Sequence, residues 1–252
     1  MADPSALALA AGAGVLGGAM NALAGGGTFA TMPTLIALGL PSPIANATSN
    51  VALQPGAIMS AWAYRDGLEP LGGVSIRMLS AITFVGGIAG SLLLVATPTR
   101  TFDLIIPWLL LIATLAIAFG RRASHALHRR LSIGRRTLIG AQAMLGVYGG
   151  YFGGGVGLMM TATWGLLAHG EPHRLAAPRT LMLAIANAGA LIVFVTGGMV
   201  AWTLCLPMLI GATIGGYSGA MLGRLLSPAV IRWWTLTVTA ATTLIFFWRA
   251  YA

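Results

Sequence analysis

Three consecutive glycines occur twice in the chain, at Gly25-Gly26-Gly27 and at Gly153-Gly154-Gly155, each within an apolar stretch. Asn21 and Thr28 flank the first triplet; Tyr148 and Tyr151 precede the second. Such a run breaks a helix and frees backbone N–H and C=O groups that lipid cannot satisfy. A helix N-terminus beside freed N–H groups attracts negative charge. Short, glycine-broken segments at matching positions in two halves point to a transporter's mid-membrane site. The plainer reading is close helix packing through glycine. One triplet leaves the two readings even, and two in register favour the site.

The helix after the short segment in each half opens with polar groups. In the first half these are Asn46, Thr48, Ser49, Asn50 and Gln54, followed by Pro55. In the second they are Pro178, Arg179 and Thr180, with Asn187 farther in. Amides and hydroxyls at membrane depth are bonded or line a wet path. Arg179 is either a counter-charge for an anion or a side chain that snorkels to the interface, and the sequence leaves both open.

Other motifs carry less. Gly12-x-Gly14-x-x-Gly17 fits the dinucleotide pattern, but it lies in an apolar helix with no strand before it and is rejected. Gly86-x-x-x-Gly90, Gly211-x-x-x-Gly215 and Gly215-x-x-x-Gly219 read as helix packing faces. His125, His128, His169 and His173 fall in predicted loops, and the five acids, Asp3, Asp66, Glu69, Asp103 and Glu171, lie near segment ends. An intramembrane enzyme would need a titratable cluster at depth, and none assembles. A carboxylate proton relay has no candidate in any span, which leaves a proton riding on the substrate or an end-located acid such as Glu171. No cofactor or metal is expected.

The elements that hold these residues follow from composition. Of 252 residues 57% are apolar and 8% charged, against about 25% charged in a soluble domain. So few charges cannot cover a soluble surface, so the chain is a polytopic membrane protein. The net charge of +9 comes from fourteen Arg and no Lys. Six of them (121, 122, 129, 130, 135 and 136) cluster at mid-chain and the rest sit mostly at the ends of apolar runs. That distribution orients membrane helices and excludes a nucleic-acid binder. Apolar segments are predicted at 5–24, 28–40, 44–64, 71–97 and 102–120, then at 137–152, 156–168, 175–196, 199–223 and 229–248. They lack strand alternation, so they are helices and the fold class is all-α. The second segment of each half is short.

The triplets stand 128 residues apart (153 minus 25), and "VGGIAG" at 85–90 matches "IGGYSG" at 214–219. This indicates a duplication of about 125 residues: a first repeat, 1–120, an Arg-rich cytoplasmic connection, 121–136, and a second repeat, 137–252. Each repeat is expected to hold a glycine-broken or re-entrant pair plus three transmembrane helices. The Arg distribution favours inverted halves over eight conventional crossings in parallel.

The stretch "NALAGGGTFATMPTLIALGLPSPIANATSN" at 21–50 and the second copy "GVYGGYFGGGVGLMM" at 146–160 resemble the sulfite exporter TauE/SafE family of membrane permeases. The second half departs from the pattern, with "LAAPRTL" where the first has "ANATSN". The resemblance implies a permease for sulfite, thiosulfate, sulfonate or organic-acid anions in the bacterial inner membrane. It carries Gly25, Gly26, Gly27, Thr48, Ser49, Gly153, Gly154 and Gly155 as site-forming positions. Asn21, Thr28, Asn50, Tyr148, Tyr151, Arg179 and Thr180 join them on the physical grounds above. The expected partners are the lipid bilayer, a small anionic substrate and a coupling proton or ion; a homodimer stays open. The expected activity is secondary transport, with access alternating as the halves rock. The rival is an anion channel with the same glycine-lined filter.

Overall fold

The computed structural model describes residues 3–127, 134–167, 175–223 and 225–251. Ten α-helices run through the described residues: α1 (Pro4–Ala24), α2 (Thr28–Ala37), α3 (Ser42–Ala63), α4 (Ile76–Ala96), α5 (Thr99–Leu127), α6 (Arg135–Tyr151), α7 (Val156–Leu167), α8 (Ala176–Thr196), α9 (Trp202–Gly223) and α10 (Pro228–Tyr251). Six of these helices are long and apolar enough to cross a bilayer: α1, α4, α5, α8, α9 and α10. The helix α3 has the length but carries the polar stripe. The all-α class and the polytopic membrane architecture follow directly.

Boundaries depart from the sequence reading where polar turns override hydropathy. The helix α5 continues to Leu127, through Arg121, Arg122 and His125, which were expected in a loop. The stretch before α4 is not helical: Leu71 pairs with Val74 in an isolated bridge, and Ser75 caps the helix by accepting from the Met78 N–H at 3.3 Å. His128, His169, His173, Glu171 and Arg174 lie outside the described residues.

The short helices double back. A Cβ on Gly17 of α1 would come within 2.5 Å of Thr31 Cγ2 in α2, so α2 returns along the end of α1 as a hairpin. Pro33 inside α2 cannot donate to the Phe29 carbonyl, and Thr242 of α10 occupies that carbonyl instead at 3.3 Å.

Packing crosses between the halves. The helix α1 lies on α9, and α6 lies on α4. Likewise α3 lies on α9 and α8 on α4, while α3 meets α8 and α5 meets α10. The first two crossings are glycine-zipped. A Cβ on Gly18 would stand 2.2 Å from the Ala212 carbonyl oxygen, and one on Gly150 would stand 2.0 Å from the Gly87 carbonyl oxygen. The predicted packing faces at Gly86, Gly90, Gly211, Gly215 and Gly219 all lie in these two contacts. In lipid, with no hydrophobic drive between helices, such backbone approach is a main source of association. Trp202, Trp233, Trp234 and Trp248 are exposed on the outer surface, where belts of amphipathic rings are expected.

Candidate functional site

The two breaks meet. Gly25 ends α1 in the left-handed conformation (φ 77°), and its N–H bonds the carbonyls of Asn21 and Met20 at 2.8 and 3.1 Å. A Cβ on Gly25 would lie 2.6 Å from Gly157 Cα, at the start of α7. Backbone therefore touches backbone where the first break passes the second. Gly153 and Gly155 are also left-handed, at φ 74° and 73°. A Cβ on Gly153 would point between Asn50 Nδ2 at 3.6 Å and Thr28 Oγ1 at 3.8 Å, and one on Gly155 would meet Ala113 and Phe29. Gly26, Gly27 and Gly154 adopt no such conformation, so the backbone demand falls on Gly25, Gly153 and Gly155.

Each break is capped by a side chain of opposite character. Asn21 Oδ1 accepts from the Gly27 N–H at 3.0 Å, while the Tyr148 hydroxyl donates to the Gly154 carbonyl at 2.8 Å. Not every glycine N–H is thus free, as the sequence suggested: Gly27 has Asn21, and Gly153 bonds the Tyr148 carbonyl at 3.2 Å.

Arg179 does not snorkel. It reaches from the start of α8 to the crossing, where its Nη2 donates to the Ala22 carbonyl at 3.0 Å and its Cγ is 3.4 Å from the Cβ position of Gly157. Its Nε has no partner, and neither has Asn21 Nδ2. Asn21 cannot turn its amide to relieve this, because the Gly27 N–H requires an acceptor. Two orphaned donors therefore flank the crossing. A buried group left unpaired costs about 1–3 kcal/mol, more when charged, so each is a marker for something that completes it.

A polar seam runs between α3 and α8. Asn46, Asn50 and Gln54 recur every fourth residue and share one face of α3. Asn46 Nδ2 donates to the Tyr151 carbonyl at 3.1 Å, Asn50 Nδ2 to Asn187 Oδ1 at 3.2 Å, and Gln54 Nε2 to the Ala184 carbonyl at 3.0 Å. Their three carbonyl oxygens are buried without partners.

The remaining predicted residues are placed elsewhere. Ser49 bonds Thr31 at 2.5 Å, joining α3 to α2. Thr48 accepts from the Ala201 N–H at 3.0 Å, fixing α3 to the turn before α9. Thr180 donates into its own helix, to the Ala176 and Ala177 carbonyls, and the Tyr151 hydroxyl is 3.4 Å from Thr97 Oγ1. Thr48, Thr180 and the Tyr151 ring are thus committed to holding helices in place. The sequence reading gave no role to Gly157, whose signal was its position two residues after the second triplet. It also passed over Gln142, which donates to Thr83 at 2.7 Å and accepts from Trp164 Nε1 at 2.9 Å in a closed structural network.

A bundle of membrane-crossing helices with two broken hairpins meeting inside it belongs to the class of membrane permeases. The match to known proteins specifies it further: residues 10–246 fit the sulfite exporter TauE/SafE family, and the chain belongs to that family of membrane transporters. It is 27% identical over 236 residues to the "Probable membrane transporter protein YfcA" of Escherichia coli (strain K12), covering 92% of this chain and 87% of that one. A "Probable membrane transporter protein" of Haemophilus influenzae is 27% identical over 214 residues, with 84% and 83% covered.

Proposed function

We propose that this chain is a secondary transporter for a small anion of the sulfite, thiosulfate, sulfonate or organic-acid type in the bacterial inner membrane. The observation that carries the proposal is the pair of orphaned donors, Asn21 Nδ2 and Arg179 Nε, at the contact of Gly25 with Gly157. Both are buried and fixed, and both present hydrogen to whatever completes them. In a low-dielectric interior a guanidinium and an amide N–H favour an oxyanion strongly. The family's name supports sulfite as the first substrate to try.

The halves 1–120 and 137–252 are read as inverted copies joined through 121–136, and the exchange of packing partners between them supports that reading. The bodies that move are then composite. One holds α1, α2, α3 and α9; the other holds α4, α6, α7 and α8, with α5 and α10 packed on each other beside them. The polar α3–α8 seam lies between them and opens alternately to each side.

The test is counterflow in proteoliposomes. Labelled sulfite should exchange faster when unlabelled anion is present on the far side. Conductance well above carrier rates without such acceleration would make the protein a channel, and no flux of any tested anion would end the proposal.

A further inference from the structure

We propose that Asp103 binds the coupling proton at one mouth of the α3–α8 seam, and that protonation releases the first turn of α3. The coupling rests on the transporter reading; the latch itself does not.

Among the described residues Asp103 is the one carboxyl group inside a membrane-crossing span. The apolar pattern starts that segment at 102 and leaves the acid at its edge, but α5 begins at Thr99 and carries Asp103 a full turn inside. Ionisable side chains within a span are costly and mark function. Asp103 is half-buried, and the Ser42 hydroxyl of α3 donates a hydrogen bond to its Oδ1. Ser42 is fully enclosed, at 1% exposed.

The place of Ser42 gives that bond its consequence. It stands one turn before Asn46, so it continues the stripe of Asn46, Asn50 and Gln54 to the end of α3. The residue that begins α3, Pro41, offers no side-chain cap. The open N–H groups of a helix start carry partial positive charge, which a carboxylate stabilises. Asp103 brings that charge from another helix. Because α5 packs on α7 of the other body, the bond ties α3 across the division between the bodies. An ionised carboxylate accepts strongly from Ser42; a proton removes the charge and weakens both attractions.

No other titratable group takes over the role. Arg100 lies one turn earlier on α5 and is exposed. The helix α10 brings Arg249, also exposed, and Tyr251, whose hydroxyl donates to the Leu104 carbonyl at 3.0 Å; its Arg232 is held on the Ala118 carbonyl at the far end. The other helices packed on α5, α3 and α7, contain no titratable side chain. Among the described residues no cation forms an ion pair with Asp103.

Cys205 is a native reporter for the latch, buried with its Sγ 3.9 Å from the Thr48 carbonyl oxygen of α3. In detergent without sulfite, its maleimide labelling rate is measured relative to the unfolded protein at the same pH. That ratio should rise about tenfold or more on acidification, as the end of α3 opens. Asp103→Asn, or Ser42→Ala should Asp103→Asn fail to fold, should label at the raised ratio already at alkaline pH. A ratio flat with pH, or rising equally in both variants, would overturn the latch. In proteoliposomes an imposed pH gradient should drive sulfite accumulation, and the variant that folds should lose accumulation at least about tenfold more than it loses counterflow. Accumulation equal to wild type would place the proton on sulfite itself, overturning the coupling and leaving the transporter reading standing. Equal loss of accumulation and counterflow would likewise overturn the coupling and reduce Asp103 to a structural tie. A pH-dependent latch without flux of any anion would sink the transporter reading and leave the latch standing.

Discussion

Both breaks interrupt a helix with three glycines, yet they are finished differently. At the first, an amide oxygen from Asn21 takes up a backbone donor, which leaves the Asn21 nitrogen unpaired. At the second, the Tyr148 hydroxyl takes up a backbone carbonyl, and its oxygen lies 3.3 Å from the Leu109 carbonyl as well. The first break keeps an unfilled donor and draws in Arg179 from the other half; the second is closed by its own helix. The two interruptions are thus finished unlike each other, the first with a donor left open and the second with its carbonyl taken up. The following helices carry the same asymmetry, with three amides on α3 and a single cation on α8.

The largest effect should come from the contact itself. Gly25→Val would force a branched side chain into a left-handed residue, at about 1–2 kcal/mol, and drive it into Gly157. Sulfite flux should vanish and the melting temperature fall by roughly several degrees. Gly153→Ala carries the same backbone penalty but a milder contact, its Cβ standing 3.2 Å from the Gly149 carbonyl oxygen and beside Asn50 and Thr28, so flux should drop about tenfold with the fold retained. Equal losses at the two sites would erase the distinction between the two breaks. Arg179→Gln comes next: sulfite affinity by titration calorimetry should fall about 10-fold or more while membrane insertion is unchanged. Asn21→Asp keeps an acceptor for Gly27 and replaces the orphaned donor with negative charge. It should lower sulfite affinity about tenfold with little change in melting temperature, and unaltered affinity would remove Asn21 from the site. Tyr148→Phe should cost about 1 kcal/mol of stability and reduce flux only about threefold. The smallest effect on transport should come from Gln142→Leu. It strands the Trp164 N–H and lowers the melting temperature, while flux per folded molecule is preserved.

Much of this was legible in the sequence because lipid removes alternatives. Glycine triplets, Pro-punctuated short segments and apolar lengths located the ten helices of the described residues, and spacing, resemblance and residue type had singled out Asn21, Gly25, Gly153 and Arg179, which lie near the crossing. Pairing was not legible. Thr48 and Thr180 looked equivalent to Ser49 and Asn50 in the sequence, yet one cements a turn and the other bonds its own helix. A hydroxyl in a helix always has its own backbone within reach, so its chemistry depends on which neighbour arrives. The stripe of Asn46, Asn50 and Gln54 could be seen as polar, but orphaned oxygens exist only once the opposite helix has claimed the nitrogens.

The glycine zippers also dictate how the chain is made. Helix α1 packs most extensively on α9, and α4 on α6, so an early segment of the chain waits for a late one. Until then its flat glycine face lacks the helix it packs on, and each half by itself leaves such a face uncovered. Two separately translated pieces, cut between α5 and α6, should accumulate only when produced in the same cell.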